Sequence, residues 1–306
     1  MNGNDATRPA GTLIPVDAAP TRVATGATWS EGPLWLPDLG LLRWSDIPGD
    51  RILELDPVTG RSGVHRTGVE YTNGRTLDRD GSVIQCSHGR RAVERERDGI
   101  VTVLVDRWEG GRFNSPNDVV VASDGAIWFT DPPYGIVQPD EGHPGEREYG
   151  ANYVFRFDQV TGDVRPVVLD VEEPNGLAFS PYERLLYVSD TSAALREDGS
   201  GNHHITVHEV FPDNTVSEGR VFAVIEDGLS DGFRVDEAGR VWSSAGAAIQ
   251  VFDPTGELLL TVPVPERVGN LCFGGPDGTD LFIAASTSIY HLPTLTRDAV
   301  AGRSAA

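Results

Sequence analysis

The sequence predicts an all-β fold: a six-bladed β-propeller of four-stranded antiparallel blades, the last closed by an N-terminal strand. Three observations carry that expectation. A layout of polar anchor, short apolar strand, Asp/Gly turn and further strands recurs six times in 306 residues. Its anchors, Glu31, Asn73, Asn117, Asn175, Asp231 and Asn270, stand at intervals of about 42, 44, 58, 56 and 39 residues, close to the ~40–50 of a four-stranded blade. The sixth repeat stops after three strands, while the chain opens with an orphan strand, Thr21–Thr25, placed before Glu31 as Val167–Asp170 is placed before Asn175. Supplied as the outer strand of the last blade, it closes the ring and leaves no raw sheet edge across the gap.

Taken in order, the first repeat gives strands at Gly32–Pro37, Leu41–Ile47, Arg51–Asp56 and Arg61–Gly68. The second gives Arg75–Asp80, Ser82–His88, Ala92–Asp98 and Ile100–Trp108, and the third Asp118–Ser123, Ala126–Asp131, Asn152–Asp158 and Asp163–Asp170. Leu177–Pro181, Leu185–Thr191, His204–Phe211 and Gly219–Asp227 make the fourth. The fifth has Gly232–Glu237, Arg240–Gly246, Ala248–Asp253 and Glu257–Pro265, and the sixth Leu271–Gly275, Asp280–Thr287 and Ser288–Pro293. Alternation with period two and β-branched or aromatic enrichment mark these strands, and no segment shows a long helical period with caps. Turns such as Asp80-Gly81 and Asp277-Gly278 read as hairpin turns, because they lack the later Glu of a calcium loop. Two polar, Gly-rich insertions, 135–150 and 192–203, account for the long third and fourth intervals; loops of that length on a rigid scaffold often border a site. With no internal linker, residues 1–306 read as one domain with peripheral tails at 1–20 and 297–306.

The net charge of −21, with every one of the 25 basic residues an Arg, repels phosphate backbones and anionic membranes and argues against nucleic-acid or membrane partners. The two cysteines, Cys86 and Cys272, are too few for a disulfide framework and read as buried strand residues. The N-terminus shows no signal-peptide pattern, so a cytoplasmic location is expected, or a periplasmic one if a leader has been removed.

In a propeller the inner strand of each blade borders the central channel, so the six anchors should converge on one of its rims. Carboxylates and amide carbonyls are hard oxygen donors, suited to one divalent cation: Ca²⁺ first, with Mg²⁺, Mn²⁺ or Zn²⁺ as alternatives. Asn or Asp before Gly also fits a simple turn, but Glu31 is no turn former. His88, at a strand end, is a further rim candidate beside Asn73 and Asn270, although a surface hairpin role fits it better.

The sequence resembles the family of senescence marker protein 30, gluconolactonase and luciferin-regenerating enzyme, most of all its gluconolactonase branch. The resemblance rests on Ser30-Glu31-Gly32-Pro33-Leu34-Trp35, on Phe113 to Val119, on Ile127 to Gly135 with its Asp131-Pro132-Pro133-Tyr134-Gly135, on Pro174 to Ser180, and on Ser230-Asp231-Gly232. It implies a six-bladed propeller with one cation in the channel and hydrolysis of a small-molecule sugar lactone to the aldonic acid, by a monomer or weak homodimer. By position it makes Glu31, Asn175 and Asp231 metal ligands, Asp231 also the general base, and Asn117 a contact to substrate or metal. Asn114, Asp131 and Tyr134 are expected near the substrate. Animal members carry an Arg two residues before the residue matching Asn117, where this chain has Ser115; either Arg112 or another residue takes that role, or the sugar contacts differ. Two rival functions remain: a non-enzymatic binding platform, and a propeller hydrolase acting on other lactones or on phosphoesters.

Overall fold

The computed structural model describes residues 13–299. Six four-stranded antiparallel sheets form a six-bladed β-propeller. Blade 1 comprises Ser30–Leu36, Leu41–Asp46, Arg51–Asp56 and Arg61–Thr67. Blade 2 comprises Thr72–Leu77, Val83–Ser87, Ala92–Arg97 and Ile100–Val105. Blade 3 has Val119–Val121, Ile127–Asp131, Tyr153–Phe157 and Val164–Val168, and blade 4 has Pro174–Phe179, Leu185–Asp190, His204–Glu209 and Arg220–Val224. Blade 5 has Phe233–Val235, Val241–Ser244, Ala248–Phe252 and Leu258–Pro263. Blade 6 takes Val268–Gly274, Asp280–Ala285 and Ser288–Pro293 from the end of the chain and Thr21–Thr25 from its beginning. That last strand pairs antiparallel with Ser288–Pro293, Thr25 facing Ser288 and Thr21 facing His291, so the ring closes as the repeat count required.

Most strands end a residue or more inside their expected bounds, because the flanking Asp and Gly belong to the turns. Gly81 and Gly278 have φ of +81° and +71°, as hairpin turns demand. The inner strands of blades 1, 2, 4 and 6 instead begin earlier than expected and take their anchors into the sheet.

Neighbouring blades hold together through apolar side chains on the faces they share. Trp128 of blade 3 packs with Leu177, Leu186 and Val188 of blade 4, and Trp242 of blade 5 with Leu271, Phe273 and Ile283 of blade 6. The two rings meet Phe179 and Phe273 edge-on, with centroids 5.2 and 5.7 Å apart. Cys86 and Cys272 are free and buried.

Three local elements escaped the sequence: a ribbon of Arg107–Trp108 with Gly111–Arg112, a one-turn helix Tyr134–Val137, and a 3₁₀ turn Ser192–Leu195. All are too short for a periodic signal. The expected tails also turn inward where they are described. Leu13 is buried in the core between blades 5 and 6, and Asp298 bridges to Asp236 of blade 5. The remainder of the two expected tails, 1–12 and 300–306, lies outside the described residues.

Candidate active site

Backbone bulges aim the anchors. Register slips between Glu31 and Leu34, between Thr72 and Arg75, between Pro174 and Leu177, and between Val268 and Asn270 place an unpaired segment in each of these inner strands. A bulge bends the strand and re-aims its side chains, here at the channel end. The glycines beside the anchors serve close packing between blades. A Cβ on Gly32 would lie 2.1 Å from Asn73 O, one on Gly74 2.6 Å from Asn117 O, and one on Gly176 2.5 Å from Asp231 O. Gly74 N, Gly176 N and Gly232 N donate to Asn117 O, Asp231 O and Gly269 O at 2.8, 2.9 and 2.8 Å. Of the anchor-linked glycines only Gly32 has positive φ, so the Asn-Gly and Asp-Gly pairs here are close-approach points and not turns.

Together these elements surround a cavity of about 240 Å³ at the channel mouth. Glu31, Asn73, Asn117, Asn175 and Asp231 line it, with Tyr134 and Glu141 from the 134–150 segment, Thr191, and Trp29 and Arg267.

Two carboxylates line it, Glu31 buried and Asp231 half-buried. Burial raises the Glu31 carboxyl well above the usual range, and the charges of Asp231 and Asp118 add to the rise; the Gly32 N–H, 3.0 Å from Oε2, and Asn270 oppose it. Burial likewise lifts Asp231 to about 6, against the pull of Arg267 and Asn175. Glu31 Oε1 is buried without any hydrogen-bond partner, and the bare Cα of Gly269 makes room for it: a Cβ there would lie 2.2 Å away. A buried, unpartnered carboxylate oxygen is costly unless a proton or a cation meets it. Among the described residues no three His, Cys, Asp or Glu side chains group to hold an ion. The donors gathered here are two carboxylates and neighbouring amides, and these residues fit a hard divalent cation.

His88 is fully buried behind the amides. Its Nε2 accepts from Asn73 Nδ2 at 3.3 Å and from Asn117 Nδ2 at 3.4 Å, while Nδ1–H donates to Glu141 O at 2.9 Å. Both amide nitrogens are thereby engaged, which leaves the two Oδ1 atoms as acceptors for the cavity. Burial lowers the imidazole to about 4, so it is neutral at pH 7. Tyr134 OH is tied to Thr191, and Asn175 Nδ2 donates to Thr191 Oγ1 at 3.2 Å.

With this geometry in hand, the chain can be placed. The model of the SMP-30/gluconolactonase/LRE-like region matches residues 29–287. The chain belongs to that family. It is 32% identical to the gluconolactonase of Zymomonas mobilis, over 90% of this chain and 81% of that one. To the pentonolactonase XacC of Haloferax volcanii it is 31% identical, over 87% and 84% of the two chains. The solved gluconolactonase of Xanthomonas campestris superposes with a TM-score of 0.81 at 38% identity, covering 94% of this chain and 99% of that one.

Within this SMP-30/gluconolactonase fold five expected site residues stand outside the cavity lining. Arg112 is exposed; its guanidinium donates to Arg90 O at 3.1 Å, because the ribbon it ends turns it away from the channel. Asp131 is buried as a clasp, its oxygens accepting from Asn114 N at 2.7 Å, Ser115 N at 2.8 Å and the Tyr149 hydroxyl. Burial raises that carboxyl to about 7 despite these bonds. Asn114 Nδ2 serves the same clasp, donating to Ala151 O at 2.8 Å. Together they hold the loop that presents Asn117. Asn270 lies one layer deeper, where its amide supports both Glu31 and Asp118. His88, for which the sequence favours a surface hairpin role, is instead interior.

Sequence reasoning missed Arg267, Glu141, Thr191 and Asp118. Burial lifts Glu141 to about 7, aided by Asp231 and Asp140. Arg267 had a usable signal: it stands three residues before Asn270, much as Trp29 stands two before Glu31, and both reach the mouth. Glu141 and Thr191 had none in one sequence, since insertions and second strands carry no anchor pattern, while Asp118 stood directly after the anchor Asn117.

Proposed function

We propose that the protein is a divalent-cation-dependent hydrolase that opens the ester of a sugar lactone of the gluconolactone kind to the aldonic acid, with Ca²⁺ the first cation to test. The carrying observation is the pair of carboxylates, Glu31 buried with an orphaned oxygen and Asp231 half-buried, on the wall of a sugar-sized cavity. Glu31, Asn175 and Asp231 are the residues that would hold the cation. When bound, such an ion supplies Lewis-acid polarisation of the lactone carbonyl. Asp231 would accept the proton of the attacking water, its carboxylate kept ionised at pH 7 by the positive charge it helps to hold. Asn117, locked through Nδ2 on His88, offers Oδ1 to a substrate hydroxyl in a fixed direction. The close match in fold and length to gluconolactonases and a pentonolactonase supports the substrate class.

The test is hydrolysis of D-glucono-1,5-lactone by metal-loaded protein. Asp231→Asn should lower kcat about 10²- to 10⁴-fold while the circular dichroism spectrum is kept. Chelator should abolish turnover, and Ca²⁺ should restore it. An Asp231→Asn protein that works at the wild-type rate removes the base assignment, and chelator-insensitive turnover removes the cation.

A further inference from the structure

We propose that Arg267, seated on Trp29, is the residue that selects a polyhydroxylated lactone, its guanidinium donating to hydroxyl oxygens of the sugar ring; this rests on the lactonase reading above. Among the described residues Arg267 is the only basic side chain lining the cavity, whose wall also carries the carboxyl groups of Glu31, Glu141 and Asp231. Its Cζ lies 6.0 Å from the centroid of Trp29. Among the described residues the guanidinium makes no hydrogen bond and no ion pair, although Asp231 feels its charge. Arg267 is exposed where it lines the cavity, so its guanidinium is open to a ligand there.

Its supports are fixed. Arg267 O accepts from Ser286 N at 2.8 Å, and Val268 N donates to Gly246 O at 2.8 Å. The preceding Glu266 is held by Thr287 N at 2.7 Å, Ser288 Oγ at 2.7 Å and Tyr290 OH at 2.9 Å. Trp29 is pinned in turn, its N donating to Asp46 Oδ1 at 3.1 Å and its O accepting from Ile47 N at 3.3 Å. A guanidinium resting on an aromatic ring keeps its N–H donors free at the edge and loses little freedom when they are used. Arg267 adds a charged donor to a wall whose carboxylates and Asn73 and Asn117 amide oxygens accept. A neutral polyol, whose hydroxyls both donate and accept, matches that mixture.

The experiment compares D-glucono-1,5-lactone with δ-valerolactone, the same ring without hydroxyls, for wild type, Arg267→Ala and Arg267→Lys, all metal-loaded. Arg267→Ala should lose roughly 10- to 100-fold in kcat/KM on gluconolactone, mainly through KM, the loss expected from hydrogen bonds to a charged donor. The loss on δ-valerolactone should be several-fold smaller, and Arg267→Lys should recover part of the KM. Equal losses on both lactones would overturn the proposal and assign Arg267 to the electrostatics of Asp231. No loss on either would overturn it outright, as would a larger loss on 6-phosphogluconolactone than on gluconolactone. Wild type inert on both lactones would remove the lactonase reading itself, whereas wild-type turnover with an indifferent Arg267→Ala removes this inference alone.

Discussion

Glu31 and His88 show how burial sets the state of single residues in this protein. Glu31 shares its buried site with Asp231, and each carboxylate raises the cost of ionising the other. Glu31→Gln should therefore stabilise the cation-free protein at pH 7, on the order of 1 to 3 kcal/mol, while removing the rise in Tm that Ca²⁺ gives the wild type. Differential scanning fluorimetry with chelator and with Ca²⁺ reads both effects. His88 has the opposite sign. Its folded-state value of about 4 lies below the 6.5 of an ordinary imidazole, so between those pH values the unfolded chain binds the extra proton. Stability from this group is complete above pH 6.5 and is lost as pH falls towards 4, to a total of roughly 3 kcal/mol. In chelating buffer, the difference between wild-type and His88→Gln unfolding free energies should shrink by about that amount from pH 7 to pH 4. A difference that stays flat would show that the imidazole titrates alike in both states.

At the scale of the strand, the inner edges are built from bulge, anchor and glycine. Gly32 carries two demands at once: φ of +48° and a neighbouring carbonyl where a Cβ would stand. Gly60 shares the sign of φ, at +70°, but has open space around it. Gly60→Ala should cost about 1 kcal/mol from backbone strain, and Gly32→Ala about 2 to 4 kcal/mol, since it must also push blade 2 away. Denaturant titration of the two variants separates strain from crowding. Because Asn73 O is the atom displaced, Gly32→Ala should also weaken turnover among the molecules that remain folded.

Across the whole molecule, closure joins residues more than 260 positions apart, with Thr21–Thr25 completing the sheet of Ser288–Pro293. Ala24 is buried in the core shared with Trp44 and Phe282, so this strand contributes apolar area as well as hydrogen bonds. A chain lacking the residues through Thr25 should show a Tm lower by several degrees or more and concentration-dependent association through the freed edge. Light scattering against concentration checks the second effect. A truncated chain that keeps its Tm and remains monodisperse would mean that three strands suffice for the last blade.

The local pattern of the chain determined the strands, their six-fold repeat, the closing strand and the rim anchors. Each is written in neighbouring residues: alternation with period two, Asp-Gly turns, a polar residue before an apolar run. Tertiary structure decided what those residues meet. It turned Arg112 outward and brought Arg267 to the mouth, buried His88 behind two amides, and made Asp131 a clasp for the 114–115 segment. It also gave the anchor glycines their purpose, since the carbonyl that excludes a Cβ belongs to the next blade. The physical reason is distance along the chain. A contact such as Gly269 against Glu31 forms only once six sheets have packed around one channel, and no local propensity encodes which side chain will then lie a few ångströms away.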